Sequence, residues 1–331
     1  MKGLTAIASA LLLAGCLRPQ ATMAQQPAAE NQQPVTVVTL GTAGGPMMNI
    51  GRSQPANALI VDGTIYLIDA GEGVTHQLAE AGLSSSNIKA VFLTHLHFDH
   101  TAGLASLLAF DWMRQTGHKM PVYGPAGTGE IVSEGIAYFS PSEMLFLLQS
   151  PVKQKMKDLY SAHEMQEQGP TVIYRDENLT VTAVENSHYS TMAIATQPYG
   201  LTRSYSYRFD TKDRSVVFTG DTGPSPQLTK LAHKADLLVT EVIDLGRAEE
   251  MVRRFLPGPE AALQDVLEHM RKEHITPDAI GRLAAEAQVG SVVLTHFVPS
   301  AMTDEDIAEG VAAVRRHFKG PVAAAKDLSR F

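Results

Sequence analysis

The octapeptide LTHLHFDH at 93–100, directly after the apolar run AVF at 90–92, constrains this chain more than any other segment. Its histidines and its aspartate follow a run that predicts a buried strand, where the local dielectric is low. Imidazoles crowded together in such surroundings repel one another when they are protonated, so an unoccupied cluster would be costly. A bound cation removes that cost, and the segment therefore predicts a metal site in the loop after a strand.

The spacing within the octapeptide indicates more than one metal. Side chains alternate along an extended backbone, so His95 and His97 fall on one face and can close on a single ion. Asp99 and His100 lie a step further, at the start of a helical pattern, and point elsewhere. Histidine and carboxylate ligands without a thiolate favour Zn²⁺, with Mn²⁺ or Fe²⁺ as alternatives.

Later strand candidates run into polar residues that can complete such a site, namely His188, Asp221, Glu241 and His296. Functional groups gather where strands end in layered α/β folds. Each residue also has a plainer interpretation. His188 can be a hydrogen-bonded or capping histidine, Asp221 can cap a turn, and His296 can be a satisfied core histidine. The residues alone leave these alternatives open.

Side chains outside the octapeptide are expected to support the site or to lie away from it. Asp69 is predicted to hydrogen-bond the loop that carries the ligands, because ligating histidines need hydrogen-bond acceptors. Other histidines lie on polar or helical segments, which predicts surface or packing roles for His76, His118, His163, His233, His269 and His317.

The amino terminus has the pattern of an export signal, with Lys2 followed by a short apolar run. Leu13-Ala14-Gly15-Cys16 resembles the bacterial lipobox. The predicted organisation is a signal peptide with lipobox at 1–16, a flexible tether at 17–34 and one domain at 35–331. The predicted location is periplasmic, with a lipid on Cys16 as the membrane anchor. Cleavage near 22–24, giving a soluble periplasmic protein, is the alternative.

Charge is the basis for a prediction about partners. The formal net charge is -8, whereas phosphate binding by nucleic-acid-binding proteins depends mainly on lysine and arginine. The chain is therefore expected to act on a small-molecule ester, and nucleic acid is not an expected partner. No sequence pattern specifies the oligomeric state.

The octapeptide is similar to the signature of the metallo-β-lactamase superfamily. Further motifs follow in the order found in its branch of ribonuclease Z and arylsulfatase-like hydrolases: LGTAGGP at 40–46, DAGEG at 69–73, TGD at 219–221 and LTHF at 294–297. The resemblance implies an α/β fold, the αββα sandwich, in which helices cover the outer faces of two central sheets. A helical insertion is expected at about 141–168.

The same resemblance implies a di-zinc centre. The implied ligands are His95, His97 and His188 for one zinc, Asp99, His100 and His296 for the other, and Asp221 as the bridge between them. Asp99 is also assigned a catalytic role. Glu241 and His274 resemble the glutamate and histidine that ribonuclease Z-like enzymes place near the leaving oxygen. The alternative is a helix-capping histidine and an unrelated glutamate.

Two metal ions lower the pKa of a bridging water, so hydroxide becomes available as a nucleophile and hydrolysis is the predicted reaction. Phosphate or sulfate esters are the favoured substrates, as in phosphodiesterases and arylsulfatases. Hydrolysis of a lactone, β-lactam or thioester would use the same metal core and is the alternative. A non-enzymatic periplasmic metal-binding protein is a third hypothesis, and it would require the loss of a ligand.

Overall fold

A computed structural model describes residues 34–45, 47–151, 153–255 and 258–331 of the chain. The predicted signal peptide, Cys16 and all but the last residue of the tether lie outside these ranges and stay predictions. Within the described ranges, no helix combines the length and the apolar character needed to cross a bilayer.

The strands, in chain order, are β1 Val35–Gly41, β2 Ala56–Val61, β3 Thr64–Ile68, β4 Ile88–Phe92, β5 Val122–Pro125, β6 Ala162–Met165, β7 Thr171–Arg175, β8 Leu179–Glu185, β9 Tyr205–Thr211, β10 Ser215–Phe218, β11 Leu237–Ile243, β12 Ser291–Val298, β13 Val322–Ala324 and β14 Ser329–Arg330. The α-helices are α1 Val74–Glu80, α2 Phe98–Thr101, α3 Leu104–Met113, α4 Thr128–Gln149, α5 Pro226–Leu231, α6 Leu245–Phe255, α7 Glu260–Glu273, α8 Pro277–Ala287 and α9 Asp304–His317.

The strands form two sheets with the same plan. The first has the order β14-β1-β2-β3-β4-β5-β6 and the second the order β13-β12-β11-β10-β9-β8-β7. In the first sheet, the strands up to β3 pair antiparallel, and β3 then pairs parallel with β4. In the second sheet, β9 and β10 pair antiparallel, and β10 then pairs parallel with β11. Parallel pairing requires crossover connections, and these put helices on the sheet faces.

Three buried clusters show how the layers stack. Aromatic side chains from both sheets, including Phe92 and Phe209, whose rings lie 5.2 Å apart, fill the space between the sheets. On the outer face of the first sheet, Leu107 of α3 and Val132 of α4 pack against strand residues. Helices α5, α8 and α9 cover the second sheet in the same way. The predicted αββα sandwich is confirmed.

The β2–β3 hairpin turns at Asp62-Gly63, a dipeptide typical of type I′ turns. Both residues have positive φ, 47° and 83°, as that turn requires. The turn sets the register that places Val61 opposite Thr64.

The helical insertion expected at about 141–168 differs from the structure. Its helical part is only the end of α4, which begins at Thr128 and continues through Pro141 to Gln149. Residues 162–165 form β6, which pairs in parallel with β5 at the edge of the first sheet. A strand as short as β6 leaves little periodicity in the sequence, so the local pattern does not separate it from the helix that precedes it.

A bulge between β11 and β12 positions side chains near the carboxyl ends of these two strands. The register shifts between Thr240 and Val242, so that Glu241 faces Thr295 and His296 across the ladder. A bulge bends a strand and redirects side chains. His296 also has a positive φ of 44°, which is uncommon for a residue other than glycine and is found at functional sites.

Candidate metal centre

The loop after β4 and the loop after β8 together form a cluster of three imidazoles. Nε2 of His95 lies 3.1 Å from Nδ1 of His97, and Nε2 of His188 lies 3.2 Å from the same Nδ1 atom. His95 and His188 are fully buried, whereas His97 is partly exposed. The structure thus brings together the residues predicted for the first metal.

A second cluster forms beside the first, from helix α2 and strand β12. Nε2 of His100 lies 3.1 Å from Nε2 of His296. Oδ2 of Asp99 lies 3.7 Å from each of these nitrogens. All three residues are buried. Asp99 and His100 lie on α2, which begins at Phe98, where the extended chain ends. The ring of His100 lies 4.0 Å from that of His95, so the two clusters adjoin each other.

Asp221, three residues after β10, faces both clusters. Its Oδ1 lies 3.1 Å from Nε2 of His296 and 3.3 Å from Nε2 of His100. Its Oδ2 lies 3.9 Å from Nε2 of His188. The Asp221 carboxylate is buried, and Oδ1 has no hydrogen-bond partner. A buried carboxylate between two sets of imidazoles has the arrangement of a metal bridge.

The imidazole nitrogens within each cluster have a spacing compatible with a tetrahedral metal site. Ligands at about 2.0 Å in a tetrahedral site stand about 3.3 Å from one another. The nitrogen–nitrogen separations of 3.1 and 3.2 Å in the clusters are close to that spacing. Burial holds the pKa of His95 and His188 well below the usual histidine range, which favours the neutral imidazole that binds metal. Groups from both clusters can therefore hold metal ions.

Hydrogen bonds behind the clusters determine which ring nitrogen faces inward. Nδ1 of His100 lies 2.9 Å from Oδ2 of Asp69, and the amide of Thr94 donates to Oδ1 of Asp69 at 2.8 Å. Nδ1 of His188 donates to the carbonyl oxygen of Glu273 at 3.0 Å. These contacts leave Nε2 of both histidines free for a metal. The predicted role of Asp69 in holding the ligand loop is confirmed.

Glu241 and His274 form a buried pair next to the first cluster. Nδ1 of His274 lies 2.6 Å from Oε2 of Glu241, and the His274 ring lies 4.9 Å from the ring of His188. The amide of Thr222 donates to Oε1 of Glu241. Burial alone would lower the pKa of His274, but the nearby Glu241 carboxylate raises it to about 9. The pair can therefore present a ring N–H beside the candidate metals.

His269 was expected to have a surface or packing role, but it lies beside the metal centre. It is on α7, with its ring 5.5 Å from the ring of His188 and 5.6 Å from that of His274. Its Nδ1 contacts Oε2 of Glu273. The sequence analysis did not identify His269 or Glu273 as part of the site. The two residues are four positions apart directly before His274, and this spacing predicts a contact on one helix face.

Tyr189 was also missed. Its ring lies 5.3 Å from that of His97, and its hydroxyl accepts a hydrogen bond from the amide of Leu96 at 3.4 Å. Because Tyr189 directly follows His188 in the sequence, its location beside the first cluster could have been predicted.

Comparison with known proteins gives a family and several relatives. Residues 64–297 match the family model described as the beta-lactamase superfamily domain. The chain is 27% identical over 299 residues to ribonuclease Z of Mycobacterium avium (strain 104). This alignment covers 89% of this chain and 97% of that protein.

Two solved structures share the fold. The metallo-beta-lactamase fold protein YhfI from Bacillus subtilis has a TM-score of 0.62 at 20% identity, and the match covers 90% of this chain and 99% of that one. The short form of human tRNase Z has a TM-score of 0.62 at 20% identity, covering 89% and 98%. At this level of identity, the likeness concerns the fold.

The relatives correct the prediction about partners. A small-molecule ester substrate was expected and nucleic acid was not, but the ribonuclease Z relatives are enzymes of RNA and align along 89% of this chain. That prediction is wrong. Its premise was the net charge of the whole chain, whereas phosphate recognition at a metal site depends on local charge, which the metal ions themselves provide.

Proposed function

Because this chain belongs to the β-lactamase superfamily, we propose that it is a zinc-dependent phosphodiesterase that hydrolyses RNA. The superfamily is one of hydrolases, and the ribonuclease Z relatives suggest the substrate class. One observation supports a phosphodiester over a lactone, β-lactam or thioester, namely the 2.6 Å contact between His274 and Glu241. This contact holds His274 as a proton donor beside the candidate metals, and departure of an alkoxide benefits from such a donor.

The proposed zinc ligands are those that converge in the structure: His95, His97 and His188 for one ion, Asp99, His100 and His296 for the other, and Asp221 between them. When bound, zinc supplies polarisation of the phosphoryl oxygens and lowers the pKa of a water molecule towards neutrality. Zinc suits this set because its ligands are imidazole nitrogens and carboxylate oxygens.

The remaining residues orient the reacting groups. Asp69 holds the ring of His100, and the carbonyl of Glu273 holds the ring of His188, so neither ligand can rotate freely. Glu241 fixes His274 through Nδ1, which leaves Nε2 of His274 to donate a proton to the leaving oxygen. Held in this way, the groups need little reorganisation during the reaction.

A groove beside the loop after β8 offers room for the rest of a nucleic-acid strand. It encloses about 460 Å³ and is lined in part by Tyr189, Ser190 and Arg203. Arg203 pairs with Glu185 through a 2.6 Å contact. Its guanidinium places a positive charge at the groove, and such a group suits phosphate binding.

The proposal is tested with zinc-loaded protein and a short RNA that carries a fluorescent label. Cleavage by the wild type, with about two zinc ions per chain by elemental analysis, is the expected result. Asp221→Ala should lose zinc and nearly all cleavage, because it removes the carboxylate between the clusters. Asp278→Ala is a matched control, since Asp278 is an exposed carboxylate on α8 that pairs with Arg316.

A panel with a β-lactam, a lactone and a thioester completes the test. If the zinc-loaded wild type hydrolyses one of these but neither RNA nor bis(4-nitrophenyl) phosphate, the proposed reaction is wrong.

A further inference from the structure

His269 occupies the solvent side of a group of three histidines at the metal centre. Its ring lies 5.6 Å from that of His274 and 5.5 Å from that of His188. The side chain of His269 is 23% exposed, compared with 9% for His274 and 1% for His188. Of these three rings, His269 is thus the most accessible to a substrate.

Glu273 fixes His269 in place. Its side chain is fully buried, and its Oε2 contacts Nδ1 of His269 one helical turn earlier. Its Oε1 accepts from the amide of Thr191 and from the hydroxyl of Ser190, while its carbonyl oxygen accepts from His188. One buried residue therefore links His269 to a metal ligand and to the loop beside it.

The hydrogen bond to Glu273 decides what His269 can offer a substrate. The contact with Glu273 occupies Nδ1 of His269, so Nε2 is the ring nitrogen left to face a substrate. A hydroxyl group can donate or accept, so it can pair with Nε2 in either protonation state of the ring. A partly exposed ring nitrogen next to a proton donor, His274, suits a substrate with two oxygens on adjacent atoms.

We propose that Nε2 of His269 forms a hydrogen bond with the 2′-hydroxyl of the ribose whose 3′ oxygen departs, and that it thereby selects RNA over DNA. This inference rests on the proposed function. Only the 3′ oxygen has a hydroxyl on the adjacent carbon, so this contact requires cleavage on the 3′ side of the ribose. The 2′-hydroxyl is the group by which a protein distinguishes RNA from DNA.

In the proposed reaction, the oxygen of a water molecule forms a bond to phosphorus, and the bond between phosphorus and the 3′ oxygen breaks. His274 gives its proton to the 3′ oxygen, and the proton lost by the water replaces it. The products are a 3′-hydroxyl end and a 5′-phosphate end, and His269 is unchanged.

The test compares two oligonucleotides that differ only in the 2′-hydroxyl at the cleaved nucleotide. We expect the zinc-loaded wild type to prefer the ribose substrate by about tenfold in kcat/KM, the effect of one hydrogen bond of about 1.4 kcal/mol. His269→Ala should reduce that ratio to about one. His269→Gln, which retains a polar group near the position of Nε2, should restore part of it.

A binding measurement separates this role from a general loss of activity. The cleaved product, ending in either a ribose or a 2′-deoxyribose, is titrated against each zinc-loaded variant. The wild type should bind the ribose end more tightly, and His269→Ala should bind both ends equally with zinc content unchanged. His317→Ala is the matched control, because His317 also contacts a carboxylate, Asp278, at 2.9 Å but lies on α9.

Other results overturn the inference. Equal losses on both oligonucleotides in His269→Ala, or a wild type with no preference between them, would show that His269 does not read the 2′-hydroxyl. Loss of zinc in His269→Ala would show that it supports the metal instead. If the wild type cleaves neither oligonucleotide, the proposed function itself fails, and this inference fails with it.

Discussion

Nδ1 of His100 lies 2.9 Å from Oδ2 of Asp69, which joins a proposed metal ligand on α2 to the residue that follows β3. The other carboxylate oxygen of Asp69 accepts from the amide of Thr94, at the start of the ligand loop. Asp69 thus connects the first sheet to the candidate metal centre and fixes the ring of His100.

Asp69→Asn should weaken zinc binding by about 10- to 100-fold, the usual effect of losing an acceptor behind a metal-bound histidine. The asparagine amide is neutral and orients His100 less firmly. Zinc affinity is measured by competition with a chromogenic chelator. Asp111→Asn is the control, because Asp111 is also buried and hydrogen-bonded but lies on α3. Equal zinc affinity in Asp69→Asn and the wild type would contradict the role given to Asp69.

His274→Ala should slow RNA cleavage by roughly 100-fold while affecting bis(4-nitrophenyl) phosphate much less. The ribose alkoxide is a poor leaving group and needs a proton, whereas nitrophenolate departs without one. Zinc content should stay unchanged, since the proposed ligands do not include His274. Comparison of kcat/KM on the two substrates decides the matter. Equal losses on both would mean that His274 positions the substrate or supports the fold.

Asp111→Asn should lower the free energy of unfolding at neutral pH by roughly 1.5–3 kcal/mol, the range for hydrogen bonds to a charged group. Burial alone would raise the pKa of Asp111, but hydrogen bonds, chiefly from His118, hold it below the ordinary value of 3.8. A lowered folded pKa contributes stability that is present above the unfolded pKa and is lost as the pH falls through the folded one.

Urea unfolding of the wild type and Asp111→Asn, at pH 7 and at pH values below 4, therefore measures this effect. The difference between the two proteins should shrink in acid. A constant difference across the pH range would show that the charge of Asp111 does not contribute to stability.

Cys16→Ser should release the protein from the membrane fraction into the periplasmic fraction. Cys16 lies outside the residues that the structure describes, and the prediction depends on the likeness of Leu13-Ala14-Gly15-Cys16 to a lipobox. A hydroxyl cannot take the place of the thiol that accepts the lipid. Immunoblots of cell fractions measure the change. A wild type that is already soluble would show that cleavage occurs elsewhere.

The layered fold and the local part of the candidate metal centre could be predicted from the amino-acid sequence. The octapeptide at 93–100 relates His95 to His97 by the alternation of an extended loop after β4, and it places Asp99 and His100 on the following helix. These relations depend on neighbouring residues, so backbone geometry alone defines them. The hairpin at Asp62-Gly63 is determined in the same local way.

The surroundings of those proposed ligands depend on packing between distant parts of the chain. His188 donates to the carbonyl of Glu273, 85 positions along the chain, and His269 approaches the centre because α7 ends beside it. The face that a helix turns to a distant loop depends on packing between layers, which periodicity does not specify. Likewise, the bulge at Thr295 and His296 depends on the pairing of β12 with β11. Net charge misled the prediction about partners because composition carries no information on where charges lie.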